Sequence, residues 1–158
     1  MEKRTVNHSK TNNRIIPEIG VMEHLAVLLL IHKDISHVVR LVNQLSHPEI
    51  DVFVHIDSKS EISDYDIQRL KNLVNVYVLD ERISTDLDKW SLVEATTCLM
   101  GLCQYVGTQK NVHYSYFALM SGQDYPIKNI EYILNFLAKS YPRPLIDCTP
   151  YDRSNWIF

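Results

Sequence analysis

The sequence predicts an α/β protein, a mostly parallel sheet with helices on both faces. Short continuous apolar runs such as "HLAVLLLI" recur along the chain, as strands covered on both faces require. Between those runs the apolar residues fall at steps of three and four, the spacing of one helical face. A third observation points to a site. Each apolar run ends in a polar segment, and ligands on such sheets sit beyond the carboxyl ends of the strands.

Taken in order, residues 1–23 are polar and mildly basic, with Lys3, Arg4, Lys10 and Arg14 but no apolar core, and read as a disordered tail rather than a secretory signal. Residues 24–158 read as one domain. His24 to Ile31 is the first strand, and Ile35, Val38, Val39, Val42 and Leu45 form the apolar stripe of the helix after it. "DVFVHI" (Asp51 to Ile56), a helical stretch near Tyr65 to Leu73, and "VNVYVL" (Val74 to Leu79) supply the second strand, second helix and third strand. Ser91 and Glu94 in "SLVE" make a capping-box signature that starts a third helix, expected to run to about Val106. "YSYFALM" (Tyr114 to Met120) is the fourth strand. "NIEYILNFL" (Asn129 to Leu137) repeats the helical stripe with Ile130, Ile133, Leu134 and Leu137, and "PLIDC" (Pro144 to Cys148) begins a fifth strand.

Composition removes several functions. A formal charge of −3 over 158 residues is too small for a nucleic-acid partner. Cys98, Cys103 and Cys148 are odd in number and lack zinc-like spacing, which fits a reducing compartment. The longest apolar run, Leu25 to Ile31, is far short of the roughly 20 residues that span a bilayer. The expected location is therefore the cytoplasm or the cytoplasmic face of a membrane, with at most peripheral contact.

The polar strand ends are "HKD" (His32 to Asp34), "DSKS" (Asp57 to Ser60), "DERIS" (Asp80 to Ser84) and "SGQD" (Ser121 to Asp124). The four glycines form neither G-x-G-x-x-G nor G-x-x-x-x-G-K-[ST], which disfavours NAD-binding and P-loop sites, and "MSGQD" is no nucleophile elbow. "DYD" (Asp64 to Asp66) and "DLD" (Asp86 to Asp88) could hold a divalent ion, but acids ahead of a helix also favour its positive end, and that structural reading is preferred. Asp57 reads either as an Asx-turn or as a ligand contact. Trp90 reads as an aromatic staple at the helix start or as a substrate platform. Gly122 reads as a φ > 0 turn residue, with Asp124 bonding the following backbone N–H groups ahead of Pro126.

In order and together, "LLIHKD", "VFVHIDSKS", "KWSLVEATTCLM" and "YFALMSGQDYPIKNIEYI" resemble the core 2/I-branching β-1,6-N-acetylglucosaminyltransferases, a family that includes the peptide O-xylosyltransferases. The resemblance covers about His24 to Leu137. It implies a GT-A type, Rossmann-like nucleotide-binding layer. It also implies an inverting transfer of a sugar, GlcNAc or xylose, from a UDP-sugar to a glycan or protein hydroxyl, without metal or other cofactor. Residue by residue, it places His32 and Lys33 against the uracil and Asp57 at the nucleoside. Trp90 and Ser91 match the Trp-Ser of the core 2 branch, and Ser121, Gly122, Asp124 and Pro126 match the segment that floors the sugar pocket. The family's catalytic glutamate and diphosphate-binding cations belong to the second half of its domain. The base is thus expected beyond Phe158, and 24–158 is expected to be the N-terminal, donor-binding part of an incomplete domain. The alternative is a non-catalytic nucleotide-sugar binding or interaction module.

Overall fold

Strands β1 (His24–Ile31) and β2 (Ile50–Ile56) are buried at nearly every position because neighbours cover both of their faces. The computed structural model describes residues 22–146. After β1 come α1 (Ile35–Gln44), β2, α2 (Asp64–Lys71), β3 (Val76–Val78), α3 (Ser91–Lys110), β4 (Tyr114–Ser121) and α4 (Ile130–Ser140). All pairings are parallel, in the order β3-β2-β1-β4. The protein is thus α/β with a Rossmann-like layer, as the alternation of periods predicts.

Strand alternation sorts the core into two layers. Leu25, Val27, Leu29 and Ile31 of β1 meet Val38, Leu41 and Val42 of α1, Leu70 of α2 and Leu134 of α4 on one face. Ala26, Leu28 and Phe53 meet Leu99, Cys103 and Val106 of α3 on the other. Each such fully buried aliphatic side chain contributes about 1.5–3 kcal/mol relative to exposure. The chain steps outward through β1, β2 and β3 with α1 and α2 on one face, then returns to β4 with α3 on the opposite face, as right-handed crossovers require. The order therefore reverses beside β1, and the carboxyl ends of β1 and β4 flank the switch point.

Several boundaries differ from expectation for local reasons. β3 begins only at Val76, because Val74 is 78% exposed and Asn75 takes a left-handed φ of 59° that ends any strand before it. Leu41, outside the predicted stripe, is fully buried with Val38 and Val42. The capping box does not form. Trp90 precedes α3 in a helical conformation with no side-chain cap, and Ser91 Oγ accepts instead from Asp86 N–H at 3.0 Å. α3 continues to Lys110, where Asn111 turns left-handed at φ 53°. Pro144 to Ile146 form no strand, and the rest of "PLIDC" lies outside the described residues, as does the predicted tail up to residue 21. Met22 already packs on the core, and Glu23 N–H donates to Ser115 Oγ at 3.0 Å. Among the described residues no helix is long and apolar enough to cross a membrane.

Candidate nucleotide-sugar site

A cavity of about 530 Å³ opens at the switch point. Its floor is the α3-facing side of three neighbouring strand ends, with Leu30 of β1, His55 of β2 and Leu119 of β4. Leu92 from the first turn of α3, with Thr85 and Leu87 from the loop before it, closes the other side. Polar groups line the mouth: His32, Asp57, Lys59, Ser60 and Ser121.

Asp57, only 4% exposed, is the charged centre of this wall. Its Oδ1 accepts from Lys59 N–H at 2.7 Å, the Asx-turn geometry the sequence allows. Its Oδ2 reaches across to the β3–α3 loop, accepting from Thr85 N–H at 3.1 Å and from the Thr85 hydroxyl. Burial raises the carboxyl's affinity for protons, but the Thr85 hydroxyl, the two N–H donors and the Lys59 ammonium outweigh it and hold the pKa below the usual carboxylate value. Asp57 is therefore an anion tying two strand-end loops together. A carboxylate has about four acceptor sites. Among the described residues three are filled, and one on Oδ1 is left for a further donor.

Cations brace the loops around it. Arg82 Nη2 donates to Asp57 O at 2.8 Å, Ser60 O at 2.8 Å and Ser60 Oγ at 2.9 Å, fixing the Asp57–Ser60 turn from behind. Lys59 Nζ donates to Thr85 O at 2.6 Å and Asp86 Oδ1 at 2.7 Å, while Lys89 Nζ takes Asp86 Oδ2 at 2.9 Å. These two ammonium groups hold the Asp86 carboxyl at a pKa of about 2. In "DLD", then, Asp86 is already neutralised and Asp88 is exposed. "DYD" belongs to the first turn of α2, where Asp66 bonds Ser63 and Arg69. Among the described residues, no cluster of three or more His, Cys, Asp or Glu could hold a metal ion.

The other predicted site residues divide in two. His32 and Ser121 line the cavity beside Asp57. Lys33 is exposed away from it, and Pro126 is half-buried outside it. Trp90 is 74% exposed and touches neither core cluster nor cavity, so the staple is not made; Ser91 acts only through the Asp86 loop. Asp124 closes a turn, but onto the residue three before it rather than onto the N–H groups that follow: its Oδ2 accepts from Ser121 N–H at 2.7 Å and its N–H donates to Ser121 O at 3.0 Å. Its carbonyl meets His37 Nε2 at 3.2 Å. Gly122 is a correction. Its φ lies outside the left-handed region, and the glycine is needed because an added Cβ would stand 2.7 Å from Ile31 Cγ2. That close approach lets Gly122 N–H donate to Leu30 O at 2.8 Å, which seats the end of β4 against β1.

Sequence reasoning passed over His55, Arg82 and Thr85. For His55 a signal existed: it stands two residues before Asp57, and a strand's period of two puts both on one face. Arg82 stood within the polar strand end "DERIS" without being singled out, and Thr85 carried no signal; both meet Asp57 only through the fold, 25 and 28 residues along the chain.

Against this geometry, the sequence profile of the Core-2/I-Branching enzyme family matches residues 25–155. No curated protein matches the chain.

Proposed function

Because the chain belongs to the Core-2/I-branching enzyme family, a family of glycosyltransferases, we propose that its rim cavity holds the UDP portion of a UDP-sugar for inverting transfer to a glycan or protein hydroxyl. GlcNAc or xylose is the sugar proposed. The observation that carries this reading is Asp57: a buried anion at the switch point, fixed by Thr85 and Lys59, with one acceptor site unfilled by the described residues beside an apolar slot. An acceptor so fixed suits an N–H or hydroxyl of a nucleoside, and the leucines of the slot suit the faces of a base.

The reading needs no divalent ion. In its support, Asp86, the carboxylate of "DLD" nearest the cavity, is shared between Lys59 and Lys89. A metal would first have to displace both ammonium groups. Of the rim carboxylates, Asp57 is engaged by three donors, Asp86 by two lysines and Asp124 by the Ser121 N–H. Glu94 is exposed on α3, and Glu131 on α4 faces His47 at 3.4 Å. General-base catalysis needs a group within hydrogen-bond reach of the attacking hydroxyl. We place that base outside residues 22–146. The same engagement favours a second reading, a nucleotide-sugar binding module without chemistry of its own.

Calorimetric titration of the full chain with UDP, UDP-GlcNAc, UDP-xylose and UDP-glucose tests the site. Saturable binding of UDP and of one sugar nucleotide in preference to the others is the expected result. Binding of none of them overturns both readings, and UDP release in the presence of an acceptor separates enzyme from module.

A further inference from the structure

The cavity floor holds one polar side chain that the reading above leaves unused. His55 is 1% exposed, yet it lines the cavity. Its Nε2 accepts from the backbone N–H of Ile83 at 3.0 Å. A ring nitrogen that accepts from an amide carries no proton, so the neutral imidazole must carry its proton on Nδ1. The ring is neutral because burial lowers its proton affinity and the Arg82 guanidinium lowers it further, against the opposing pull of Asp57.

That Nδ1–H makes no hydrogen bond among the described residues. The ring is not sealed off either. His55 is one of the residues that line the cavity, so a group entering that space meets its ring. A buried donor left unpaired is costly, and a donor whose tautomer is fixed by a backbone amide is preorganised. Leu30 stands beside His55 on β1 in register, Leu119 lies beyond it on β4, and Leu92 faces them from α3. The donor therefore sits at the edge of an apolar slot with Asp57, an acceptor, two residues away on the same strand face.

We propose that His55 is a specificity-determining residue, donating from Nδ1–H to the 4-carbonyl oxygen of a uracil ring in this slot and so selecting uridine over cytidine nucleotides. This rests on the reading of the cavity as a nucleotide site. Cytosine carries an amino group where uracil carries that carbonyl. Against cytosine two donors face one another, and neither is satisfied. His55 does not touch the sugar transfer itself; it sets which base the site accepts.

The test compares UDP and CDP affinity in the full-length chain and in His55→Phe and His55→Gln. Phe keeps the ring and removes the donor, while the Gln amide can accept from Ile83 N–H and still donate. Phe should weaken UDP about fivefold, the weight of one hydrogen bond, and leave CDP nearly unchanged, so that the preference collapses. Gln should restore much of it. Melting curves identify any variant that is not folded, and if Phe fails there, the Gln variant carries the test: UDP preference retained supports the assignment, and UDP preference lost in a folded Gln variant overturns it. Equal losses of UDP and CDP in folded Phe, or no loss of either, also overturn it while leaving the nucleotide site standing. Absence of nucleotide binding in the unaltered chain removes the site and the assignment together.

Discussion

Asp51 and Asp57 stand at the two ends of β2, both buried, and their surroundings differ in kind. Asp51 is fully enclosed and accepts from Lys110 Nζ at 2.8 and 3.0 Å and from the Tyr114 hydroxyl at 2.7 Å. Its charge is matched by a charge. The pairing in turn raises the Lys110 pKa, against the opposing effect of burial, and burial together with Asp51 raises that of Tyr114. At Asp57 the direct donors are neutral groups, the nearest ammonium is turned toward Asp86, and a cavity lies alongside. A carboxylate compensated by its own cation ties α3 and β4 to the sheet. One held by amides and a hydroxyl keeps its field for whatever enters the cavity.

Breaking the first arrangement should have the largest effect on stability. Lys110→Met leaves Asp51 buried without its counter-charge, and removing one partner of such a pair costs about 3–5 kcal/mol, here near 3 because Lys110 is 32% exposed. Urea denaturation measures it. UDP affinity of the folded fraction should not change, and a large loss of affinity would erase the distinction between the two ends. Asp57→Asn should do the reverse. Replacing the charged acceptor weakens UDP binding by roughly tenfold or more, about 1.5–3 kcal/mol, with a smaller loss of stability. Calorimetry showing unchanged affinity in a folded variant would count against the site.

Acid sharpens the contrast more gently. His55 titrates below its ordinary value of 6.5 in the folded protein. Below pH 6.5 the unfolded chain takes up a proton that the folded chain refuses, so stability falls as pH drops from 6.5 toward the folded value and is flat, on this account, above it. Asp57, with its pKa depressed, adds stability above its ordinary 3.8 that is lost only as pH falls through its folded value. Stability curves should therefore slope downward as pH falls below 6.5 in the unaltered chain, and less steeply there in His55→Gln. The smallest effect is expected at Asp86. EDTA should leave UDP affinity as it was, and Asp86→Ala should not create or abolish any response to Mn²⁺. A strong gain with Mn²⁺ that disappears in Asp86→Ala would make "DLD" a metal site.

The layer order was legible because apolar runs and helical stripes are local patterns, and every strand and helix among the described residues was read from them. The Asp34, Ser63 and Asn129 caps sit where such residues are expected, while "SLVE" has the capping-box letters without the bond, since the preceding loop claims Ser91 Oγ first. Of the candidate site, Asp57, His32 and Ser121 could be read as strand ends. The partners of the polar residues inside β2 could not be read, even though the spacing of His55 and Asp57 puts those two on one face. Asp51 finds its partners 59 and 63 residues away, and His55 finds its own 28 away, so a scan along the chain meets each as an unexplained polar letter in an apolar run.

The pairing of β1 with β4 also decides when the cavity can exist. Glu23 and Ser115, which meet at the start of that pairing, are 92 residues apart, and β4 finds β1 only after the chain has closed around β2, β3 and α3. Long closures of this kind are slow steps in folding. Leu30 and Leu119 face the same space only once it is made. A nucleotide would thus have affinity for the finished sheet alone, and mass action would place its whole stabilisation there. Hydrogen exchange should show it: bound UDP should slow the amides of β4 and the Gly122 N–H that seals it to β1, and should leave the last turn of α4 exchanging as before.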